Sequence, residues 1–244
     1  MYVNSALKKM REGKPALGAT CGTGAPLAAE FLARGGCDFV FLDNQHGLWQ
    51  PLEMMAGFRA IHAAGSVPML RVLKNDFGQM GEALDRGAMG IIVPMVNTVA
   101  DAKAAAFAIR FPPVGGRSGG WYGCHVYGPD YFDWINKEVF LAVQIETKEA
   151  VENVEAIMAV DGVDGCWIGP GDLSISMGVP LWSAPHKAAI QRTLEACQKL
   201  GKIPGIAFGD MPQFIKDGFQ FVTPIDDFTC LRRTAEDTLK MLRG

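Results

Sequence analysis

Two acidic residues stand where an apolar strand has no structural use for a charge. Leu141-Ala142-Val143-Gln144-Ile145-Glu146-Thr147 is an apolar run that ends in a carboxylate. Gly165-Cys166-Trp167-Ile168-Gly169-Pro170-Gly171-Asp172 is a second one. An isolated carboxylate out of water is expensive, so two of them on successive strand ends suggest a shared divalent cation. Glu146 and Asp172 would supply hard oxygen ligands and leave positions of an octahedral Mg²⁺ or Mn²⁺ free for water and substrate. The bland alternative has Glu146 opening a helix and Asp172 capping one, and spacing alone leaves both open. Gln144, two residues before Glu146, points to the same side of the strand, either at the site or as interior filling.

Other residues at strand ends could join this pair. His46 follows the run Phe39 to Asp43, and an imidazole with an ordinary pKa near 6.5 suits proton transfer at neutral pH. His62, His125 and His186 fall in helical or loop patterns, where surface or packing roles are expected. Arg71 ends Pro68-Met69-Leu70-Arg71, and a guanidinium among apolar neighbours needs an anionic partner from the protein or the substrate. Asp85, in Glu82-Ala83-Leu84-Asp85-Arg86, reads by itself as an ordinary solvated helix charge. Gly169-Pro170-Gly171 could present backbone N–H groups at a helix start to a carboxylate or phosphate. Beside two metal-ligand candidates, that turn points to an anionic, chelating substrate.

These residues must be positioned by alternating strands and helices. Strands are expected at Ala16–Cys21, Phe39–Asp43, Val67–Val72, Gly90–Pro94, Phe140–Ile145, Val163–Ile168, Ile203–Phe208 and Phe219–Thr223. Helices follow at about Pro26–Arg34, Pro51–Ala64, Phe77–Arg86, Val99–Ile109, Lys148–Met158 and Ala184–Leu200, with an amphipathic one closing the chain at about Phe228–Leu242. A long connection, Arg110–Glu138, precedes the fifth strand. The strands are continuous apolar runs, as a sheet buried on both faces requires. Strand–helix units repeated through 244 residues point to one α/β domain, a parallel (β/α)8 barrel over residues 1–244. In such a barrel the chemistry sits at the C-terminal strand ends, which is where the residues above fall.

Composition narrows the class further. The chain is 49% hydrophobic and 20% charged with a net charge of −3, so it can bury a large core and offers no basic stripe to nucleic acid. No apolar run approaches a membrane span, and Lys8, Lys9 and Arg11 are followed by no apolar segment of a secretory signal. Cys21, Cys37, Cys124, Cys166, Cys197 and Cys230 show no CxxC spacing. They read as buried, reduced thiols of a cytoplasmic protein.

Taken together, several motifs in order resemble the HpcH/HpaI family of metal-dependent class II pyruvate aldolases. They are Leu42-Asp43-Asn44-Gln45-His46, Leu70-Arg71, Gly90-Ile91-Ile92-Val93-Pro94-Met95-Val96, Arg110-Phe111-Pro112-Pro113 and Val143-Gln144-Ile145-Glu146-Thr147. Val160-Asp161-Gly162-Val163-Asp164-Gly165 then runs into Ile168-Gly169-Pro170-Gly171-Asp172-Leu173-Ser174. The resemblance implies that Glu146 and Asp172 bind Mg²⁺, Mn²⁺ or Co²⁺, and that a 2-oxo acid chelates the ion. It places Arg71 at the keto oxygen and makes His46 and Asp85 a proton-handling dyad. Pro170-Gly171 would supply backbone N–H groups to the substrate carboxylate. It further implies a homohexamer whose last helix is exchanged between neighbours, with sites near subunit interfaces.

The reaction so implied is reversible cleavage of a 4-hydroxy-2-oxo acid to pyruvate and an aldehyde. No lysine stands at an expected Schiff-base position, which disfavours the class I route. Related alternatives are a lyase acting on an acyl-CoA or another 2-oxo acid, and a barrel that binds a 2-oxo acid without turnover. The chain departs from the family pattern in three places. Gln45 stands where an acid is common. The 117–127 loop is rich in glycine and aromatics. Pro224-Ile225-Asp226-Asp227 stands where a glycine or serine is expected before the aspartate.

Overall fold

The computed structural model describes residues 2–244. Eight parallel strands close into a barrel in sequence order: β1 Ala16–Cys21, β2 Phe39–Asp43, β3 Val67–Arg71, β4 Gly90–Val93, β5 Phe140–Ile145, β6 Gly165–Ile168, β7 Gly205–Ile206 and β8 Phe221–Asp226. The helices are α1 Ser5–Arg11, α2 Pro26–Arg34, α3 Pro51–Ala63, α4 Phe77–Asp85, α5 Val99–Ile109, α6 Tyr122–Tyr127 and α7 Tyr131–Glu138. They continue with α8 Lys148–Glu152, α9 Val154–Met158, α10 Pro170–Met177, α11 Ala184–Lys199, α12 Met211–Asp217 and α13 Asp227–Arg243. The expected strands are all present. The last two are displaced: β7 keeps two residues, and β8 runs on through Pro224 to Asp226. The long connection before β5 carries α6 and α7, and the expected single helix after β5 is broken at Asn153 into α8 and α9.

Side chains alternate across a strand, so every second residue faces the barrel axis. Low in the barrel Phe39 stacks on Phe221 at 4.6 Å, and Phe140 meets Phe221 edge-on at 5.0 Å. One step higher Phe41 meets Trp167 at 5.3 Å. The next inward positions are Asp43, Arg71 and Gln144, all buried. The hydrophobic interior thus ends in a polar layer at the C-terminal rim. The register keeps that layer level, since Asp43 pairs with Arg71 across β2 and β3, and Gln144 with Trp167 across β5 and β6.

The cysteines divide. Cys21, Cys166 and Cys197 are buried, as expected, but Cys37 and Cys124 are half-buried and Cys230 is exposed. Among the described residues no helix is long and apolar enough to cross a membrane.

Candidate active site

Glu146 follows directly on β5 and is buried. Its Oε1 accepts from Met95 N–H at 2.8 Å, and its Oε2 accepts from the Gln144 side-chain amide. Met95 holds φ 55, a left-handed conformation that costs a non-glycine residue energy, and in it the N–H meets the carboxylate. Burial pushes the Glu146 carboxyl up to about 7. The Met95 hydrogen bond and the positive charge of Arg71 work against that rise, and the charge of Asp172 adds to it. Asp172, in the first turn of α10, is therefore close enough to be felt. Gly169 sits between them: a Cβ there would lie 3.0 Å from Gln144 Nε2 and 3.2 Å from Glu146 Oε2. A glycine at the turn from β6 into α10 lets the backbone pass close to the carboxylate without displacing it.

Arg71 finds its partner within the protein. Asp43, whose role as a partner the sequence did not reveal, accepts from Arg71 Nε at 2.8 Å and from Arg71 Nη2 at 2.5 Å. The same carboxylate accepts from Gln45 N–H at 3.1 Å and His46 N–H at 3.3 Å, shaping the turn that carries His46. The guanidinium also lies over the Trp167 ring, 5.2 Å from its centre, and the Trp167 indole N–H donates to the Thr223 hydroxyl at 3.1 Å. Its orientation is thus fixed by a bidentate pair and an aromatic face, and among the described residues its Nη1 end has no hydrogen-bond partner.

A cavity of about 330 Å³ joins these residues. Arg71, Gln144, Gly171, Asp172 and the exposed His46 line it, together with Thr20, Phe208, Thr223, Ile225 and Asp226. The structure therefore brings together His46, Arg71, Gln144, Gly171 and Asp172, with Glu146 hydrogen-bonded to Gln144 behind them. It does not bring Asp85 to His46. Asp85 Oδ1 accepts from Arg117 Nη2 at 2.7 Å in a separate cavity beside α4 and α6. Arg117 is buried and lies over the Phe111 ring at 4.4 Å. The expected His46–Asp85 dyad is not formed within one chain. A second correction concerns Pro170, which as a proline has no N–H to give. The free amides of the α10 start are those of Gly171 and Asp172.

The donor set fits a divalent cation. Two carboxylates converge, one of them pushed up by burial, and the buried Gln144 Oε1 beside them has no hydrogen-bond partner among the described residues. Oxygen-only ligands of this kind suit a hard ion. Among the described residues no cluster of three or more His, Cys, Asp or Glu forms a metal cage, so any ion here rests on two acids and keeps positions for substrate.

His186 shows what sequence reasoning missed. It is fully buried, bonded to Trp182 N–H at 3.2 Å and to the Pro170 carbonyl at 2.9 Å. Its place as the third residue of a helix, next to Lys187, gave no sign of that.

Comparison with known proteins agrees with this geometry. A family model described as HpcH/HpaI aldolase/citrate lyase matches residues 22–224. The chain is 34% identical over 247 residues to the 4-hydroxy-2-oxo-heptane-1,7-dioate aldolase of Salmonella paratyphi C, covering 96% of this chain and 92% of that one. It is 34% identical over 249 residues to the enzyme of the same name from Klebsiella pneumoniae, with the same coverage. A crystal structure of an HpcH/HpaI aldolase/citrate lyase family protein from Burkholderia cenocepacia superposes with a TM-score of 0.92 at 31% identity, covering 99% of this chain and 100% of that one.

Proposed function

The chain belongs to the HpcH/HpaI aldolase/citrate lyase family, and on that premise we propose that it reversibly cleaves a 4-hydroxy-2-oxo acid into pyruvate and an aldehyde. The observation that carries this reading is the meeting of Asp172 and the Asp43-held Arg71 in one cavity, with Glu146 directly behind it through Gln144. Glu146 and Asp172 would hold a divalent metal, Mg²⁺ or Mn²⁺, which would supply positive charge to the bound 2-oxo acid. Arg71 turns its Nη1 end toward the keto oxygen, where negative charge grows as the C3–C4 bond breaks. Because Asp43 and Trp167 already fix the guanidinium, little reorganisation is needed at that moment. The Gly171 and Asp172 amides receive the carboxylate. His46, at the rim, takes the proton of the C4 hydroxyl during cleavage and returns it during addition.

The relatives from Salmonella and Klebsiella name the first substrate to try, 4-hydroxy-2-oxo-heptane-1,7-dioate. Pyruvate release is expected to stop in EDTA, to return with Mg²⁺ or Mn²⁺, and to be lost in Glu146→Ala. Full activity in chelator together with an unimpaired Glu146→Ala variant would overturn the metal-dependent reading. A homo-oligomer, a hexamer by the family resemblance, is supported by the exposed apolar residues of α13, including Leu231, Met241 and Leu242. Asp85 enters the proton path only in such an assembly, offered to His46 from a neighbouring copy. We place the enzyme in the cytoplasm.

A further inference from the structure

His186 has both ring nitrogens hydrogen-bonded to backbone, so the fold dictates its tautomer. The Trp182 backbone N–H can only donate, so Nδ1, 3.2 Å away, must accept. The proton therefore resides on Nε2, which donates to the Pro170 carbonyl at 2.9 Å. With the side chain wholly buried, the imidazole is a neutral brace between two backbone positions. One end of that brace lies next to the cavity. A trans peptide is planar, and its N–H points opposite to its C=O. Holding the Pro170 carbonyl toward α11 thus turns the following Gly171 N–H the other way, to the side on which Gly171 lines the cavity. As the second residue of α10, Gly171 has no intrahelical acceptor for that N–H. The other end of the brace reaches the part of the wall next to Gly171, where a Cβ would lie 3.9 Å from the Phe208 ring. Trp182 is held at φ 62, outside the usual range for a non-glycine residue, and its ring meets Phe208 edge-on at 5.9 Å. Phe208 faces the same cavity.

We propose that His186 is a positioning residue for substrate binding. By bracing the Pro170 carbonyl it aims the Gly171 N–H at the carboxylate of the 2-oxo acid, and through Trp182 it sets the Phe208 wall. This rests on the reading of the cavity as a 2-oxo acid site. Two substitutions separate the two ends of the brace. His186→Asn keeps an acceptor near the Nδ1 position but cannot reach Pro170, whereas His186→Gln can place an amide N–H at the reach of Nε2.

Two measurements decide the matter: amide hydrogen exchange over residues 169–174 in the metal-free protein, and KM and kcat for pyruvate in the addition direction with Mg²⁺ and an aldehyde. In His186→Asn, Leu173, whose N–H donates to the Gly169 carbonyl at 3.0 Å and so reports the order of this turn, is expected to exchange faster than in the wild type, and KM for pyruvate to rise about tenfold with kcat changed far less. His186→Gln is expected to restore both readouts. Wild-type exchange and KM in His186→Asn would overturn the proposal. So would a His186→Gln protein as impaired as His186→Asn at the same melting temperature, because that would show a packing role alone. A wild-type protein that does not turn over pyruvate would defeat the aldolase reading, and the exchange measurement would still decide the role of His186.

Discussion

Arg71 and Asp43 illustrate how a charge is kept at the top of an apolar barrel. Their side chains are 9% and 7% exposed, so each has left most of its water and depends on the other. Removing one partner of such a pair leaves an uncompensated buried charge. Asp43→Ala is therefore expected to destabilise the fold by about 3–5 kcal/mol, read as a lower urea midpoint, and to cost activity because the guanidinium is no longer aimed. Gly169→Ala is a gentler probe. The added methyl would press on Gln144 and Glu146 at 3.0 and 3.2 Å, so metal affinity by calorimetry should fall while the melting temperature of the metal-free protein changes little. Unchanged affinity would separate Glu146 from the metal site. Arg71, Glu146 and Asp172 were legible in the sequence because a charge at the end of an apolar run is costly and needs a reason. Asp43 satisfies that criterion equally, but its role becomes visible only when β3 sets Arg71 beside it. The burial of His186 is likewise non-local, created by the 170–182 segment folding back over α11.

At the scale of elements, Asp227 joins the two ends of the barrel wall. It is the first residue of α13. Its carboxylate accepts from Gly22 N–H and Thr23 N–H, both at 2.9 Å, and from the Thr23 hydroxyl at 2.7 Å. It thereby pins the loop between β1 and α2 to the start of the last helix. Burial alone would raise its pKa, but these hydrogen bonds outweigh it and hold the pKa below the usual 3.8. A depressed carboxylate gives stability that is present above the unfolded-state pKa and lost as pH falls through the folded one. Asp227→Ala should thus lower the melting temperature at pH 7, equivalent to about 2 kcal/mol. The gap between variant and wild type should narrow below about pH 4. A constant gap from pH 7 to pH 3 would show that the loss is packing rather than charge. The long strands and the helices between them were readable because continuous apolar runs and 3.6-residue periodicity report burial directly. α6, α7 and α12 were not. They have eight residues or fewer, too few for a period to declare itself. β8 outran its expected end because Pro224 reads as a terminator, yet there it is carried within the strand.

At the scale of the molecule, the outer face of α13 leaves Leu231, Met241 and Leu242 at 65%, 75% and 72% exposure. An apolar face of that kind marks an interaction surface. Met241→Glu with Leu242→Glu should shift sedimentation toward a smaller species without unfolding the barrel, since neither residue belongs to the core. A sedimentation profile identical to the wild type would place the assembly contact elsewhere.

The barrel wall is unevenly laced. β5 is held to β4 and to β6 by four residue pairs each. β7 is held to β6 by the pair Ile168–Ile206 and the isolated Gly165–Ile203 bridge, and to β8 by two pairs. Gly205 is glycine because a Cβ there would strike Cys166 O at 2.5 Å, so this seam is tight in space, with fewer strand pairs than β5 and single backbone hydrogen bonds such as Ala207 N–H to Ile168 O beside them. Local opening follows such differences. The amides of residues 203–208 should exchange with solvent sooner than those of 141–145. The seam runs directly below Phe208, which lines the cavity, while the more densely paired β5 leads into Glu146. Give in the wall at that seam would change the width of the cavity beside Phe208 and leave the Glu146 carboxylate where β5 holds it.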